Sequence, residues 1–172
     1  MCMIYRATPV SRQWIRGMVR YIREQTGTQN DIYFDVVRFL EVQLPQMIED
    51  FSVEIVKVSS MLNKVGETFP AECKIFIRED IYEKAINGDG YARYGIAHEI
   101  GHLLINDIDS ISLCRMEEGE KLKAYEDPEW QADCFAGELL MYHPLVKNLS
   151  AREIAVKCGV TPKAASIQFS KL

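Results

Sequence analysis

From Tyr91 to Ile105 the chain is apolar on nearly every side of a helix: Tyr94, Ile96, Ala97, Ile100, Leu103, Leu104 and Ile105 surround His98, Glu99 and His102. Such a helix belongs in a domain core, where unpaired polar groups are costly, so the histidines need a partner. Any fold for this chain must therefore pack its core around a polar cluster. Positions four apart on a helix share a face, so His98 and His102 can both offer a ring nitrogen to one metal ion, with Glu99 beside it. The plainer alternative is an ordinary helical pair, one histidine capping a neighbour and the other in solvent. Gly101 costs about 1 kcal/mol of helix propensity relative to Ala. A close approach of another backbone, or of a metal site, explains it better than propensity does.

Two imidazoles and a carboxylate in this spacing suit zinc-dependent hydrolysis, in which the metal lowers the pKa of a water from about 16 to near 7 and Glu99 takes the proton. Such a site needs a third protein ligand. Asp127-Pro128-Glu129 reads as an N-cap, a proline at the first helical position and an acid in the first turn, which predicts a helix running on through Met141. Trp130, Cys134, Gly137 and Met141 fall near one face of it, and Glu129, Ala132, Asp133 and Ala136 near another. In isolation Glu129 and Asp133 read as a helix-start acid and a solvated Asp. Beside the histidine motif, Glu129 reads as the third ligand and Asp133 as an acceptor that orients a ligating imidazole through its other N–H. Cys134, about 140° round the helix from Glu129, is a further ligand candidate. So are Glu117, Glu118 and Glu120, in a segment 107–126 that otherwise reads as a solvated loop or a lid.

The pairing of Ala97-His98-Glu99-Ile100-Gly101-His102-Leu103-Leu104 with the segment from Glu129 to Met141 resembles the ImmA/IrrE family of metallopeptidases. Its members pair a helix of this histidine type with a Glu-x-x-Ala-Asn/Asp-x-Phe-Ala segment running into Leu-Leu-Met-Pro. The resemblance covers about residues 50 to 172. It implies zinc ligands at His98, His102 and Glu129, Glu99 as catalytic base, and a regulatory role in which a transcriptional repressor is cleaved or inactivated, often in mobile elements or stress responses. This chain departs from the pattern at Met141-Tyr142-His143-Pro144. His143 is there a candidate substrate-facing acid or spare ligand, against the reading of a helix-end histidine favoured by the dipole. Tyr91, Tyr94 and Tyr142 are candidates for oxyanion stabilisation.

The remaining expectations concern organisation. With 172 residues, 48% hydrophobic and 26% charged, the chain is long enough for one core and short for two, so a single domain over residues 1–172 is expected, with N-terminal helices in 1–50. No apolar run reaches 18 residues and no transit or signal pattern is seen, which predicts a cytoplasmic protein without a membrane span. The five cysteines, Cys2, Cys73, Cys114, Cys134 and Cys158, form no Cys-x-x-Cys pair and read as reduced structural thiols. Ser11 to Gln25 predicts an amphipathic helix, and Asp31 to Glu49 a second, broken near Pro45. Val53 to Val58 and Cys73 to Arg78 predict strands, separated by turn residues near 63–70. If the second strand is a sheet edge facing the metal, an extended peptide can pair with it.

Ser150-Ala151-Arg152-Glu153 is a capping box, Gly159 a helix stop and Thr161-Pro162 a new start, giving a helix-turn-helix-like appendage over 150–172. Arg152, Lys157, Lys163 and Lys171 lie there, but a net charge of −5 and a second helix ending with the sequence favour packing or protein docking over DNA contact. The fold class expected is α+β, mostly helical, with a small antiparallel or mixed sheet, a zincin-like active-site helix and a second ligand helix. The function expected is a zinc endopeptidase acting on a protein substrate, a repressor or other regulatory protein. The competing reading is a non-catalytic zinc-containing regulator that sequesters such a partner.

Overall fold

The computed structural model describes residues 2–106, 111–116 and 122–172, with residues 2–4 and 111–116 described by backbone alone. In chain order its elements are β1 (Cys2–Ala7), α1 (Arg12–Gln25), α2 (Val36–Arg38), a π-helical turn (Phe39–Gln43), α3 (Leu44–Met47), β2 (Ser52–Val56), β3 (Gly66–Phe69), β4 (Lys74–Arg78), α4 (Glu79–Ile86), α5 (Gly90–Ile105), β5 (Ile111–Met116), α6 (Pro128–Leu140), α7 (His143–Val146), α8 (Ala151–Cys158) and α9 (Pro162–Phe169). The architecture is α+β and mostly helical, with a three-stranded mixed sheet ordered β2-β4-β3 and a separate antiparallel pair, β1 with β5.

The helices form where their termini are satisfied and one face is apolar. Ser11 accepts from the amide of Trp14 at the start of α1, which buries Ile15, Val19 and Ile22 at helical spacing. Asp89 accepts from Ala92 at the start of α5, and Asp127 from Glu129 at the start of α6, with Pro128 in the first turn. Ile75 and Ile77 of the central strand β4 are fully buried and join α5 and α6 residues such as Ile96, Ile100, Phe135 and Leu139 in one core. Ile154, Cys158 and Ala165 of α8 and α9 belong to the same core, so the C-terminal helix pair packs into the body of the protein.

Several expectations are corrected here. The helix expected from Asp31 begins at Val36 under an Asp35 cap, and Pro45 sits in the first turn of α3 after the π-helical turn, where its missing N–H is least needed. Within the span read as turns, Gly66–Phe69 is a strand, β3. The Cys73–Arg78 strand, β4, is the centre of its sheet, with Val53 opposite Ile75 on one side and Thr68 opposite Ile75 on the other. It therefore has no free edge for a peptide. The segment read as a loop contains β5, which pairs with β1 from Cys2 opposite Met116 to Ala7 opposite Ile111. Glu117, Glu118 and Glu120 lie outside the described residues, as does the side chain of Cys114; Cys73, Cys134 and Cys158 are free thiols.

Two buried arginines tie the elements together. Arg93 of α5 donates to the carbonyl oxygens of Cys158 (2.7 Å), Gly159 and Phe34 (2.6 Å), and its guanidinium stacks 3.8 Å from the Tyr33 ring. Arg23 of α1 donates to Thr28 (2.9 Å), Asp31 (2.6 Å) and Leu139 (2.6 Å) carbonyls. A planar, donor-only guanidinium suits this work because it can satisfy several carbonyls at once in a dry interior. Among the described residues no helix is long and apolar enough to cross a membrane.

Candidate metal centre

The site sits where α5 crosses α6, and Gly101 permits the crossing. A Cβ at residue 101 would lie 3.0 Å from Ala132 Cα, 3.1 Å from its carbonyl oxygen and 3.2 Å from Phe135 Cβ. Side chains four residues apart on α5 and in the first turn of α6 are thereby brought face to face. His98 Nε2 and His102 Nε2 lie 3.0 Å apart. Glu129 brings Oε2 to 3.2 Å from His98 Nε2 and Oε1 to 3.4 Å from His102 Nε2. Among the described residues these three form a group able to hold a metal ion.

The other ring nitrogens are held from behind. His98 Nδ1–H donates to Asp133 Oδ1 at 2.9 Å, the arrangement that fixes the tautomer with a lone pair at Nε2. His102 Nδ1 lies 3.1 Å from the side-chain nitrogen of Asn106, whose own carbonyl oxygen is buried with no partner. Turning that amide by half a turn sets the orphaned oxygen against Nδ1, which then donates to it and leaves Nε2 free to bind a cation, at the loss of the amide nitrogen's longer 3.5 Å contact with the Pro128 carbonyl oxygen. The buried, unsatisfied oxygen of Asn106 would find a donor if His102 bound a metal through Nε2, and in this respect the donor set fits a metal ion.

The electrostatics fit a cation as well. Burial alone would lower the pKa of His98, but hydrogen bonds to Asp133 and Glu129 overcome it and hold the imidazole up at about 9. Hydrogen bonds from His102 and His98 hold the Glu129 carboxyl far below its ordinary range.

Glu99 lies beside this cluster against β3. The Thr68 hydroxyl is 2.7 Å from Glu99 Oε2 and 3.0 Å from the Glu99 carbonyl oxygen. β3 can come this close because residue 66 is glycine: a Cβ there would meet Glu99 Cγ at 2.8 Å and the Phe76 carbonyl oxygen at 2.8 Å. β3, α5 and the start of α6 border a cleft of about 1010 Å³, lined by His98, Glu99, His102, Glu129, Thr68 and Tyr94 among others. No described strand pairs with the outer edge of β3.

Other sequence candidates are distributed differently. Tyr94 borders the cleft, donates from its hydroxyl to the Asp133 carbonyl oxygen at 2.8 Å, and is kept protonated by burial; Tyr91 borders the same cleft. Tyr142 and His143 do not border it, which corrects their expected place in the site. α6 has 13 residues, about 20 Å at 1.5 Å per residue, so its far end is remote from Glu129. Tyr142 is buried under the Arg23 guanidinium, 5.0 Å from its ring. His143 sits by Arg16, Arg20 and Glu138 in a separate recess, its pKa lowered by burial and by Arg16. Cys134 is buried outside the cluster, and burial pushes its thiol up to about 11.

Thr68 and Asn106 were not read from the sequence. Asn106 had a signal, its position four residues beyond His102; Thr68 had none, since its contact with Glu99 depends on β3. A family model of M78 peptidases, described as an IrrE N-terminal-like domain, matches residues 49–168, more than two-thirds of the chain and inclusive of both site helices. No curated protein matches the chain.

Proposed function

We propose, from the premise that the chain belongs to the IrrE N-terminal-like domain family of M78 peptidases, that it is a zinc-dependent endopeptidase cutting a peptide bond in a regulatory protein, a transcriptional repressor being the leading class. The observation that carries the zinc reading is the convergence of His98 Nε2, His102 Nε2 and the Glu129 carboxylate at 3.0, 3.2 and 3.4 Å. Zinc bonds of about 2.0–2.1 Å at tetrahedral angles separate ligand atoms by about 3.3 Å. Zinc, when bound, would supply a Lewis acid that acidifies water and polarises a carbonyl.

The chain's own residues would do the rest. Glu99 takes a proton from the attacking water and returns it to the leaving amine. Thr68 holds that carboxylate toward the cleft. Asp133 and Asn106 keep the two imidazoles turned with Nε2 outward. An extended substrate would pair with the outer edge of β3, where main-chain hydrogen bonds set its direction past Glu99. DNA has no part in this reading, because α9 is packed on α6, with Gln168 buried between them. The cytoplasm is the proposed compartment.

The test is Glu99→Gln. Cleaved products in cells expressing wild type, compared with the variant at equal bound zinc, should include new N-termini absent with the variant. If both proteins bind zinc and act equally on the partner, the non-catalytic, sequestering reading takes over.

A further inference from the structure

α5 and α6 are tied at more than their crossing. Gly101 marks the closest approach, against the Ala132 backbone. Seven residues earlier, about 10 Å along the α5 axis, the Tyr94 hydroxyl donates to the main-chain carbonyl oxygen of Asp133 at 2.8 Å. A polar tie placed beside the crossing resists turning of one helix over the other. His98 lies on α5 between these two points, one helical turn beyond Tyr94 and on the same face. It reaches the carboxylate of the same Asp133, Nδ1 to Oδ1 at 2.9 Å. Asp133 is thus joined to α5 twice, by its main chain to Tyr94 and by its side chain to His98.

The local sequence keeps the first of these contacts open. Helical side chains tilt toward the N-terminus, so one at residue 137 would lie over the carbonyl oxygen of residue 133. Residue 137 is glycine, and a Cβ there would already stand 3.9 Å from the Tyr94 hydroxyl and 2.9 Å from Gln168 Oε1. The second contact depends on the first. The Asp133 side chain is 59% exposed against 19% for His98, and among the described residues its carboxylate has no hydrogen-bond partner besides His98. A carboxylate so loosely packed stays on the imidazole when its main chain is held in place.

Tyr94 has no second proton to offer. A phenol carries one, and here it is engaged with the Asp133 carbonyl, while burial raises the Tyr94 pKa and keeps the proton on the oxygen. The oxyanion role read for Tyr94 from the sequence therefore gives way to a different one. We propose that Tyr94 is a positioning residue, which holds the main chain of Asp133 so that its carboxylate stays on His98 Nδ1 and His98 Nε2 stays turned toward Glu129. The effect on metal binding rests on the zinc reading; the chain of contacts from Tyr94 through Asp133 to His98 does not.

Tyr94→Phe removes the hydroxyl and keeps the ring. Zinc affinity, read by competition against a chromophoric chelator, should fall about 10-fold. The same substitution made in Asp133→Ala should cause no further fall, because the carboxylate it positions is gone. In Asn106→Leu, which strips the support of the other imidazole, the fall should be undiminished. A tyrosine that only stabilises the fold would weaken binding equally in all three backgrounds. A second readout needs no zinc. In chelator-treated protein, nitrogen-edited NMR follows exchange of the His98 Nδ1 proton with water, which should be about 10-fold faster in Tyr94→Phe, the effect of one net hydrogen bond. Equal losses of affinity with and without Asp133, an unchanged affinity in the single variant, or an unchanged His98 proton overturns the proposal. Wild-type protein that binds no zinc fails the zinc reading instead, and the proton exchange still decides this one.

Discussion

The Thr68 hydroxyl meets Glu99 Oε2 at 2.7 Å, linking the edge strand of the sheet to the histidine-bearing helix. The contact turns a carboxylate that sequence alone marks only as adjacent to the histidines into one with a defined direction. It also makes β3 part of the site rather than its margin.

Thr68→Val keeps the shape of the side chain and removes the hydroxyl. With Glu99 as the proposed general base, the turnover number should fall roughly 10-fold while zinc stoichiometry stays unchanged, since the carboxylate loses its orientation and the proposed ligands are not touched. Steady-state kinetics with metal analysis reads both, and an unchanged turnover number would remove Thr68 from the machinery.

Asp133→Ala and Asn106→Leu strip the acceptors behind His98 and His102. Each should weaken zinc binding by about 10- to 100-fold. Competition against a chromophoric chelator measures this without any cleavage assay, and affinities equal to wild type would sink the assignment of these two residues.

Gly101→Ala adds a methyl group against the Ala132 backbone at 3.0 and 3.1 Å. The gain in helix propensity, about 1 kcal/mol, is outweighed by an overpacking cost of about 1–3 kcal/mol. Thermal melts should show a less stable protein, and the forced separation of α5 and α6 should weaken zinc binding as well. A more stable variant would mean that the helix crossing can relax.

Arg93→Met fills similar volume but leaves the carbonyl oxygens of Phe34, Cys158 and Gly159 without this donor. Loss of about 3 kcal/mol is expected, from buried acceptors left unsatisfied. Chemical denaturation measures it, and a loss below about 1 kcal/mol would show that water reaches those carbonyls.

In the metal-free protein His98 carries a pKa of about 9 against its ordinary 6.5. A raised folded-state pKa gives stability that is fully present below the unfolded value and is lost as pH rises through the folded one. The melting temperature of chelator-treated protein should therefore fall between pH 6.5 and about 9, and Asp133→Asn should flatten that slope. A wild-type profile already flat over this window would contradict the His98–Asp133 pairing.

The residues that declare themselves in the sequence are those whose signal is local. His98, Glu99 and His102 lie within one helical turn and a half, and the caps at Asp127 and Ser150 sit beside the helices they start, as in the structure. Gly101 announced a close approach because a glycine inside a helix is otherwise a cost. By contrast β3 lies in a run of turn-forming residues, and β1 and β5 pair across more than a hundred residues, so neither carried a local signature. Tyr142 and His143 were misplaced because proximity in sequence to a ligand helix is not proximity to its first turn.

What the sequence determined by itself was the composition of the polar cluster and the identity of the two helices that carry it, since helical periodicity and end-capping act over a few residues. Only the tertiary structure decided which strand is central and which is the edge, that Thr68 reaches Glu99, and that Tyr94 ties α5 to Asp133 of α6. Those are relations between segments far apart in the chain, set by how a particular core packs, and no repeating local pattern encodes them.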